Sequence, residues 1–150
     1  MEVILAEHLG FCYGVKRAVE MANEAADSDG KSYTLGPIIH NPQVVGRLES
    51  KGVSPIQEVS DIDEGTMIIR SHGVGPAIYE EAEEKGLNIL DATCPHVKKA
   101  QQDAKSVIED GMTLVILGEK NHPEVKSINL WANNKGIIIE DEESAKNLQV

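Results

Sequence analysis

Residues 65–96 read GTMIIRSHGVGPAIYEEAEEKGLNILDATCPH, and this stretch decides the fold class. The apolar run at 67–70 and the shorter run at 88–90 are typical of strands. Between them, a proline opens a predicted helix at 76–85, because proline is tolerated at the first helical position. A strand, a helix and a second strand in this order predict parallel strand pairing and an α/β fold.

The same alternation continues on both sides of this stretch. Further strands are predicted at 3–6, 33–35, 112–117 and 137–139. Further helices are predicted where apolar residues recur at helical spacing, at 15–25 and 97–108, and where a proline opens a segment, at 42–51 and 123–131. Because the strand runs are short and continuously apolar, we expect a largely parallel sheet covered on both faces.

A boundary near Cys94 divides the chain into a first α/β unit, residues 1–95, and a second unit, residues 96–150. The second unit has only two predicted strands, and the chain ends shortly after a predicted helix cap at Asp141. A two-stranded sheet is not stable by itself. We therefore expect one complete and one incomplete unit, and a chain that is a fragment or a truncated form of a longer protein.

The charge of the chain excludes several classes of partner. Its 150 residues carry 14 Lys and Arg against 25 Asp and Glu, a formal net charge of −11 at pH 7. Such a chain repels polyanions, so neither nucleic acid nor an anionic membrane is an expected partner. The sequence shows no export signal and no membrane span, so we expect a cytoplasmic protein with its two cysteines reduced.

Cys12 and Cys94 are the first candidates for chemistry, and each is predicted to lie between a strand and a helix. The partial positive charge at a helix N-terminus favours the thiolate, the form that binds metals. An inert buried thiol is the commoner role of a single cysteine, but two in matching corners favour ligation. An iron–sulfur cluster fits better than zinc, because no CxxC or HxxxH pair is present.

Three histidines follow predicted strands, beside Gly, Pro or Asn: His40, His72 and His122. A solvated or capping role is the alternative for any one of them. Three in matching positions, with Ser71, predict a phosphate pocket built from imidazole and backbone donors. Glu124 lies in the first turn of the helix that follows His122. The sequence leaves open whether it only interacts with the helix dipole or donates a proton.

Five ordered motifs together resemble those of the LytB (IspH) family of 4-hydroxy-3-methylbut-2-enyl diphosphate reductases. They are GFCYGVK around Cys12, GPIIHN around His40, SHGV around His72, DATCP around Cys94 and HPEV around His122 and Glu124. The resemblance implies an iron–sulfur oxidoreductase of the non-mevalonate isoprenoid pathway. Such an enzyme removes the hydroxyl of (E)-4-hydroxy-3-methylbut-2-enyl diphosphate and forms isopentenyl and dimethylallyl diphosphates.

The resemblance also implies a role for each motif residue. Cys12 and Cys94 are implied ligands of a 4Fe-4S cluster, His40, His72 and His122 bind the diphosphate, and Glu124 donates a proton. A ferredoxin or flavodoxin is the implied electron donor, and Lys98 and Lys99 are a candidate docking patch. The implied architecture is a trefoil of three small α/β units around the cluster.

This chain departs from the family pattern by omission, because it lacks the third cysteine and the later Ser, Thr and Asn residues of the diphosphate site. Two thiolates are too few to hold the cluster as the family does, so we expect the chain alone to be inactive. Two other functions stay open on the residues alone. One is a binding module for a phosphorylated metabolite, and the other is an iron–sulfur carrier without catalysis.

Overall fold

A computed structural model describes residues 2–7, 9–28 and 30–148 of the chain. The helices are α1 Tyr13–Ala26, α2 Pro42–Ser50, α3 Pro76–Glu84, α4 Pro95–Glu109, α5 Pro123–Trp131 and α6 Glu142–Lys146, with a 3-10 turn at Val59–Asp61. The strands are β1 Ser32–Leu35, β2 Val53–Ile56, β3 Thr66–Ile69, β4 Asn88–Asp91, β5 Val115–Leu117 and β6 Ile137–Ile139.

The strands form two parallel sheets. The first has the order β2-β1-β3-β4, and the second pairs β5 with β6. Every strand pair is parallel, and helices connect most successive strands. The predicted α/β class with parallel sheets is confirmed.

Apolar side chains cover both faces of the four-stranded sheet, as its continuous apolar runs predicted. Successive residues of a strand point to opposite faces, so β3 contributes Ile68 to one cluster and Met67 and Ile69 to the other. Ile68 packs with residues from α1 and α2, including Ala22. Met67 and Ile69 pack with α3, including Ala82. The buried members of both clusters come from the first 92 residues of the chain.

Strand β2 was not predicted from the sequence. It reads VSPI, and Pro55 has no backbone N–H with which to join a sheet ladder. The structure places β2 at the edge of the sheet, beside β1 alone. An edge strand uses only one side for pairing, so the proline is accommodated there.

The prediction of a strand at 3–6 was wrong. The structure has no strand there, and Val3, Ile4 and Leu5 are exposed. A strand requires a neighbour to satisfy its backbone groups, and no described strand pairs with this segment. Two other boundaries also differ: β3 ends before Arg70, and β5 begins only at Val115.

Side chains from α5 connect the second sheet to the first. The Trp131 indole N–H donates a hydrogen bond of 2.9 Å to the Val74 carbonyl, and its ring meets Tyr79 edge to face at 6.2 Å. Helices α4 and α5 also pack against each other. Helix α4 connects the last strand of the first sheet to the first strand of the second. The domain boundary after residue 95 lies at the start of this helix and stays a prediction.

Among the described residues, no helix is both long and apolar enough to cross a bilayer.

Candidate functional site

The loops that follow β1, β3 and β4 meet at the carboxyl edge of the four-stranded sheet. The backbone N–H of Ser71 donates to the Ile38 carbonyl at 3.4 Å, and its hydroxyl donates to the same oxygen at 3.3 Å. The backbone N–H of Cys94 then donates to the Ser71 carbonyl at 2.9 Å. Open α/β sheets bind ligands at this edge, and these bonds fix the three loops relative to one another.

The three predicted histidines converge. The ring centroids lie 4.5 Å apart for His40 and His72, 5.5 Å apart for His72 and His122, and 5.9 Å apart for His40 and His122. One nitrogen from each ring lies within 4.8 Å of the other two. His40 is exposed and the other two are half-buried, so the cluster can be reached from solvent. Nitrogens this close can donate to one oxyanion or coordinate one divalent cation.

His72 is held neutral at the centre of this cluster. Burial is the largest cause that lowers the pKa of His72, to about 4, and the charges of His40, Arg70 and His122 lower it further. Its Nδ1 is buried and has no hydrogen-bond partner among the described residues. A buried ring nitrogen without a partner is costly. The folded chain bears this cost, because a ligand in solvent cannot reach an atom without accessible surface.

His122 is the N-cap of α5, and its side chain points one nitrogen at the helix. The backbone N–H of Glu124 donates to His122 Nδ1 at 3.2 Å. Because Nδ1 accepts a hydrogen bond, the proton of the neutral ring is on Nε2. His122 thus keeps one N–H donor for the cluster while it caps the helix. Glu124 is half-buried in the first turn of the same helix, as predicted.

The two cysteines occupy equivalent positions at helix N-termini. Cys12 is the N-cap of α1 and Cys94 is the N-cap of α4, and neither side chain makes a capping hydrogen bond. A methyl group at Gly14 would overlap the Cys94 sulfur, so the first turn of α1 lies directly against Cys94. Both thiols are free, Cys12 exposed and Cys94 partly so. The predicted strand before Cys12 is absent, whereas Cys94 follows β4 as expected.

This donor set fits part of an iron–sulfur site. Each of the two free thiols lies at a helix N-terminus, which favours the thiolate. Gly14 lets the two corners approach closely, which any side chain would prevent. The chain offers two thiolates, whereas a 4Fe-4S cluster held entirely by cysteine has four. The residues present therefore suit two corners of a cluster.

Arg17 connects α1, which begins after Cys12, to the residues just before Cys94. This role was not predicted from the sequence. The Arg17 guanidinium, on α1, donates to the carbonyls of Thr93 at 3.2 Å and Asp91 at 3.3 Å, just before Cys94. The Asp91 carboxylate in turn accepts from the Thr93 N–H at 3.0 Å and pairs with Lys98. Nothing local distinguishes Arg17 from its exposed neighbour Lys16, so only the fold assigns this role.

Ser127 and Gln101 form a second support that was not predicted. The buried Ser127 hydroxyl lies within donating distance of the carbonyls of His72, at 2.7 Å, and Glu124, at 3.0 Å. The Gln101 amide donates to the same hydroxyl at 3.3 Å. Gln101 lies between Val97 and Ala104 on the buried face of α4, and a polar residue at such a position was the signal available.

The candidate docking patch on α4 carries little free positive charge. Lys98 is paired with Asp91, and Lys99 is paired with Asp103 at 2.9 Å. Two lysines neutralised in this way do not form the basic surface that an acidic electron carrier would require.

Comparisons with known proteins agree with the motifs. The family described as LytB protein matches residues 3–150. The 4-hydroxy-3-methylbut-2-enyl diphosphate reductase of Geotalea uraniireducens (strain Rf4) is 53% identical over 147 residues, which cover 97% of this chain and 52% of the relative. The reductase of the same name from Geobacter metallireducens is 51% identical over 148 residues, 99% of this chain and 52% of the relative.

Solved structures give the same picture. A structure of (E)-4-hydroxy-3-methyl-but-2-enyl diphosphate reductase matches with a TM-score of 0.83 and 48% identity, over 97% of this chain and 53% of its own. The E-1-hydroxy-2-methyl-but-2-enyl-4-diphosphate reductase from Plasmodium falciparum matches with a TM-score of 0.89 and 32% identity, over 94% of this chain and 45% of its own. The chain spans about half the length of the curated relatives it matches.

Proposed function

The chain belongs to the LytB family, and from this membership we propose that it supplies part of the active site of a 4-hydroxy-3-methylbut-2-enyl diphosphate reductase. The reaction breaks the C–O bond of the allylic hydroxyl, consumes two electrons and two protons, and releases water. Its products are isopentenyl and dimethylallyl diphosphates. The cytoplasm is the proposed location, and a ferredoxin or flavodoxin is the proposed electron donor.

The observation that carries this proposal is the convergence of three imidazoles beside the loop that ends in Cys94. The imidazole nitrogens lie within 4.8 Å of one another, and Ser71, next to His72, accepts the backbone bond from Cys94. A substrate with a diphosphate at one end and a hydroxyl at the other needs anion-binding donors next to a reducing centre. The three histidines are the proposed anion-binding donors, and a cluster on the cysteines is the proposed reducing centre.

The histidines bind and orient the diphosphate. A neutral imidazole still donates one N–H, and His122 Nε2, opposite the nitrogen that caps α5, is one proposed donor. His72, which burial keeps neutral, would bind a phosphate oxygen without taking up a proton. The net charge of −11 would repel a diphosphate, but salt screens most of that repulsion because the charges are spread over the surface. Short hydrogen bonds from nearby donors therefore decide whether the diphosphate binds.

Glu124 is the proposed source of the proton that leaves with the hydroxyl. The first turn of α5 places it two residues from His122, so its carboxyl group and the diphosphate site are held by one helix end. General acid catalysis by a positioned carboxyl group typically accelerates a step by about 100-fold or more. A Glu124→Gln substitution in the complete reductase should therefore lower kcat strongly and leave substrate affinity nearly unchanged.

Cys12 and Cys94 are the proposed ligands of a 4Fe-4S cluster. When bound, the cluster would supply electrons one at a time and a Lewis-acidic iron. Cys12 and Cys94 would hold it at the N-caps of α1 and α4, and Arg17 and Gly14 fix α1 against the segment that ends in Cys94. With two thiolates, the chain alone should assemble little stable cluster and should not turn over.

Anaerobic reconstitution with iron and sulfide tests this proposal. We expect substoichiometric, air-sensitive iron in the wild-type chain, much less in Cys12→Ser and Cys94→Ser, and no turnover of the allylic diphosphate with a chemical reductant. Equal iron in all three proteins would refute the ligand assignment, and turnover by the chain alone would refute its predicted inactivity.

The two other functions give different results in the same experiment. A binding module would bind the diphosphate with equal affinity in the wild type and in both cysteine variants and would acquire no iron. A cluster carrier would acquire iron but show no spectral change when the diphosphate is added.

A further inference from the structure

A cavity of about 360 Å³ lies beside α5 and the loops after β1 and β3, and none of the three clustered histidines lines it. Gly36 and Arg70 line it from the loops after β1 and β3, and Asn121, Lys126 and Leu130 line it from α5 and the loop before α5. Its volume is within the range of small-molecule sites. It is therefore next to the candidate reductase site without being part of it.

Arg70 is the residue that makes this cavity unusual. Its Nε is buried without a hydrogen-bond partner, and all ion pairs among the described residues are made by lysines. Burial lowers the pKa of the Arg70 guanidinium, yet an arginine stays charged in proteins. A half-buried cation without a carboxylate is costly, and an anion that reached the terminal nitrogens of the guanidinium from the cavity would lower that cost.

The backbone opposite Arg70 is shaped to accept the guanidinium. Gly36 has φ +70°, and a Cβ there would lie 2.9 Å from Arg70 Nη1. Glycine adopts this conformation without strain and leaves room for the guanidinium where it lies. The guanidinium is thus held at the cavity wall by the loop after β1.

The other polar groups of the cavity also suit an anion. Lys126 adds a second positive charge, and Asn121 and Gln57 add amide groups. No carboxylate of the described residues lines the cavity, although the chain has 25 acidic residues against 14 basic ones. The remaining wall is apolar and includes Leu130 and Ile78.

We propose that this cavity binds a small amphipathic anion, with a phosphate or carboxylate head on Arg70 and Lys126 and a short apolar chain against Leu130 and Ile78. The guanidinium fork suits an oxyanion with two oxygens in one plane. The apolar wall favours a ligand with a hydrocarbon chain, because binding removes that chain from water. This site goes beyond the reductase reaction proposed above and does not depend on iron.

Titration of the isotope-labelled chain with pentyl phosphate tests the proposal, followed by the backbone amide resonances of Gly36, Gly75 and Leu130. We expect saturable shifts at these residues, weaker binding of inorganic phosphate and none of pentanol. Pentanoate in place of pentyl phosphate decides between a carboxylate and a phosphate head. Arg70→Gln should weaken binding about tenfold, the effect of losing one charge-assisted interaction.

A matched pair of lysine variants separates loss of binding from loss of folding. Lys126→Gln should weaken binding several-fold, whereas Lys99→Gln removes the same charge outside the cavity and should change nothing. Wild-type affinity in both Arg70→Gln and Lys126→Gln, with both variants folded, would overturn the proposal. So would shifts confined to the histidine loops, which would assign binding to the imidazole cluster instead. Iron binding through the cysteines is unaffected by either outcome, so failure here leaves the proposed function intact.

Discussion

At the scale of single residues, the site depends on groups whose environment differs from water. His72 is the clearest case, because burial and nearby positive groups keep it neutral. Gly73, the next residue, has φ +72° and packs directly against Gln101 and Thr93. Because Gly73 has no side chain, the loop that carries His72 can pack this closely. Both residues lead to measurable effects on the free energy of unfolding.

His72 should make stability depend on pH. Below pH 6.5 the unfolded chain binds a proton on this histidine that the folded chain does not bind until about pH 4. Its contribution is therefore complete above pH 6.5 and is lost as the pH falls towards 4, by about 1–2 kcal/mol after allowance for partial exposure. Urea unfolding between pH 7.5 and 4.5 should show a smaller loss for His72→Gln than for the wild type. The exposed His96→Gln is the control, and identical slopes for His72→Gln and the wild type would contradict the prediction.

Gly73→Ala should destabilise the chain by about 2–3 kcal/mol, because alanine is strained at this φ and its methyl group would overlap the Gln101 amide. Gly46→Ala provides the matched control. Gly46 lies in α2, nothing lies within 4 Å of an added Cβ, and alanine in a helix interior gains about 0.5–1 kcal/mol. Thermal or urea unfolding should give opposite signs for the two variants, and similar signs would show that Gly73 tolerates a side chain.

At the scale of elements, helix ends and strand ends set the site. Four of the six described helices start with proline at their first position, and α1 and α4 are the two that begin just after a cysteine. The pattern Leu-Gly-x3-His occurs twice, at 35–40 and 117–122. It starts at the last residue of β1 and of β5, so it places His40 and His122 at equivalent strand ends. The relative position of α1 and α4, however, depends on contacts between them rather than on either helix.

Arg17→Met should loosen the pair of cysteine corners, because it removes the two hydrogen bonds from α1 to the carbonyls before Cys94. The yield of cross-linking between Cys12 and Cys94 by a short dithiol-reactive reagent should fall several-fold. Lys16→Met is the control, since Lys16 pairs only with Glu20, on the surface of the same helix. An unchanged yield in Arg17→Met would show that the Gly14 contact is sufficient to position the helix.

At the scale of the whole molecule, the two sheets differ in how much they bury. The four-stranded sheet has an apolar cluster on each face, whereas the residues of β5 and β6 are exposed or half-buried. A two-stranded sheet needs further packing to be stable. The hydrogen bonds from Ser127 and Trp131 connect α5, which lies between β5 and β6 in the chain, to the loop after β3 of the larger sheet.

Hydrogen exchange should distinguish the two sheets. Amides of β5 and β6 should exchange well before those of β1 and β3, because local opening is easiest where few apolar contacts are lost. Trp131→Phe, which removes the bond to the Val74 carbonyl, should speed exchange in β5 and β6 and leave β1 and β3 unchanged. Equal protection of both sheets in the wild type would show that they unfold as one unit.

Much of this fold follows from local pattern, and its failures have identifiable causes. Short apolar runs and proline-opened helices were located correctly because local backbone preferences determine them. The segment at 3–6 has the same apolar character but no strand beside it, and β2 was hidden by Pro55 because only its edge position makes proline acceptable. In both cases, the deciding factor is the neighbouring strand, which local pattern does not reveal.

The sequence by itself determined the α/β class, the donor types and the loops that carry them, since these depend on neighbouring residues in the chain. Only the tertiary structure decided which side chains meet. Arg17 reaches carbonyls 74 and 76 residues away, and Ser127 reaches one 55 residues away. Arg70 becomes an unpaired cation in a cavity only once the loops after β1 and β3 and helix α5 are assembled. Such contacts depend on the packing of distant elements, which the composition and periodicity of any one segment do not specify.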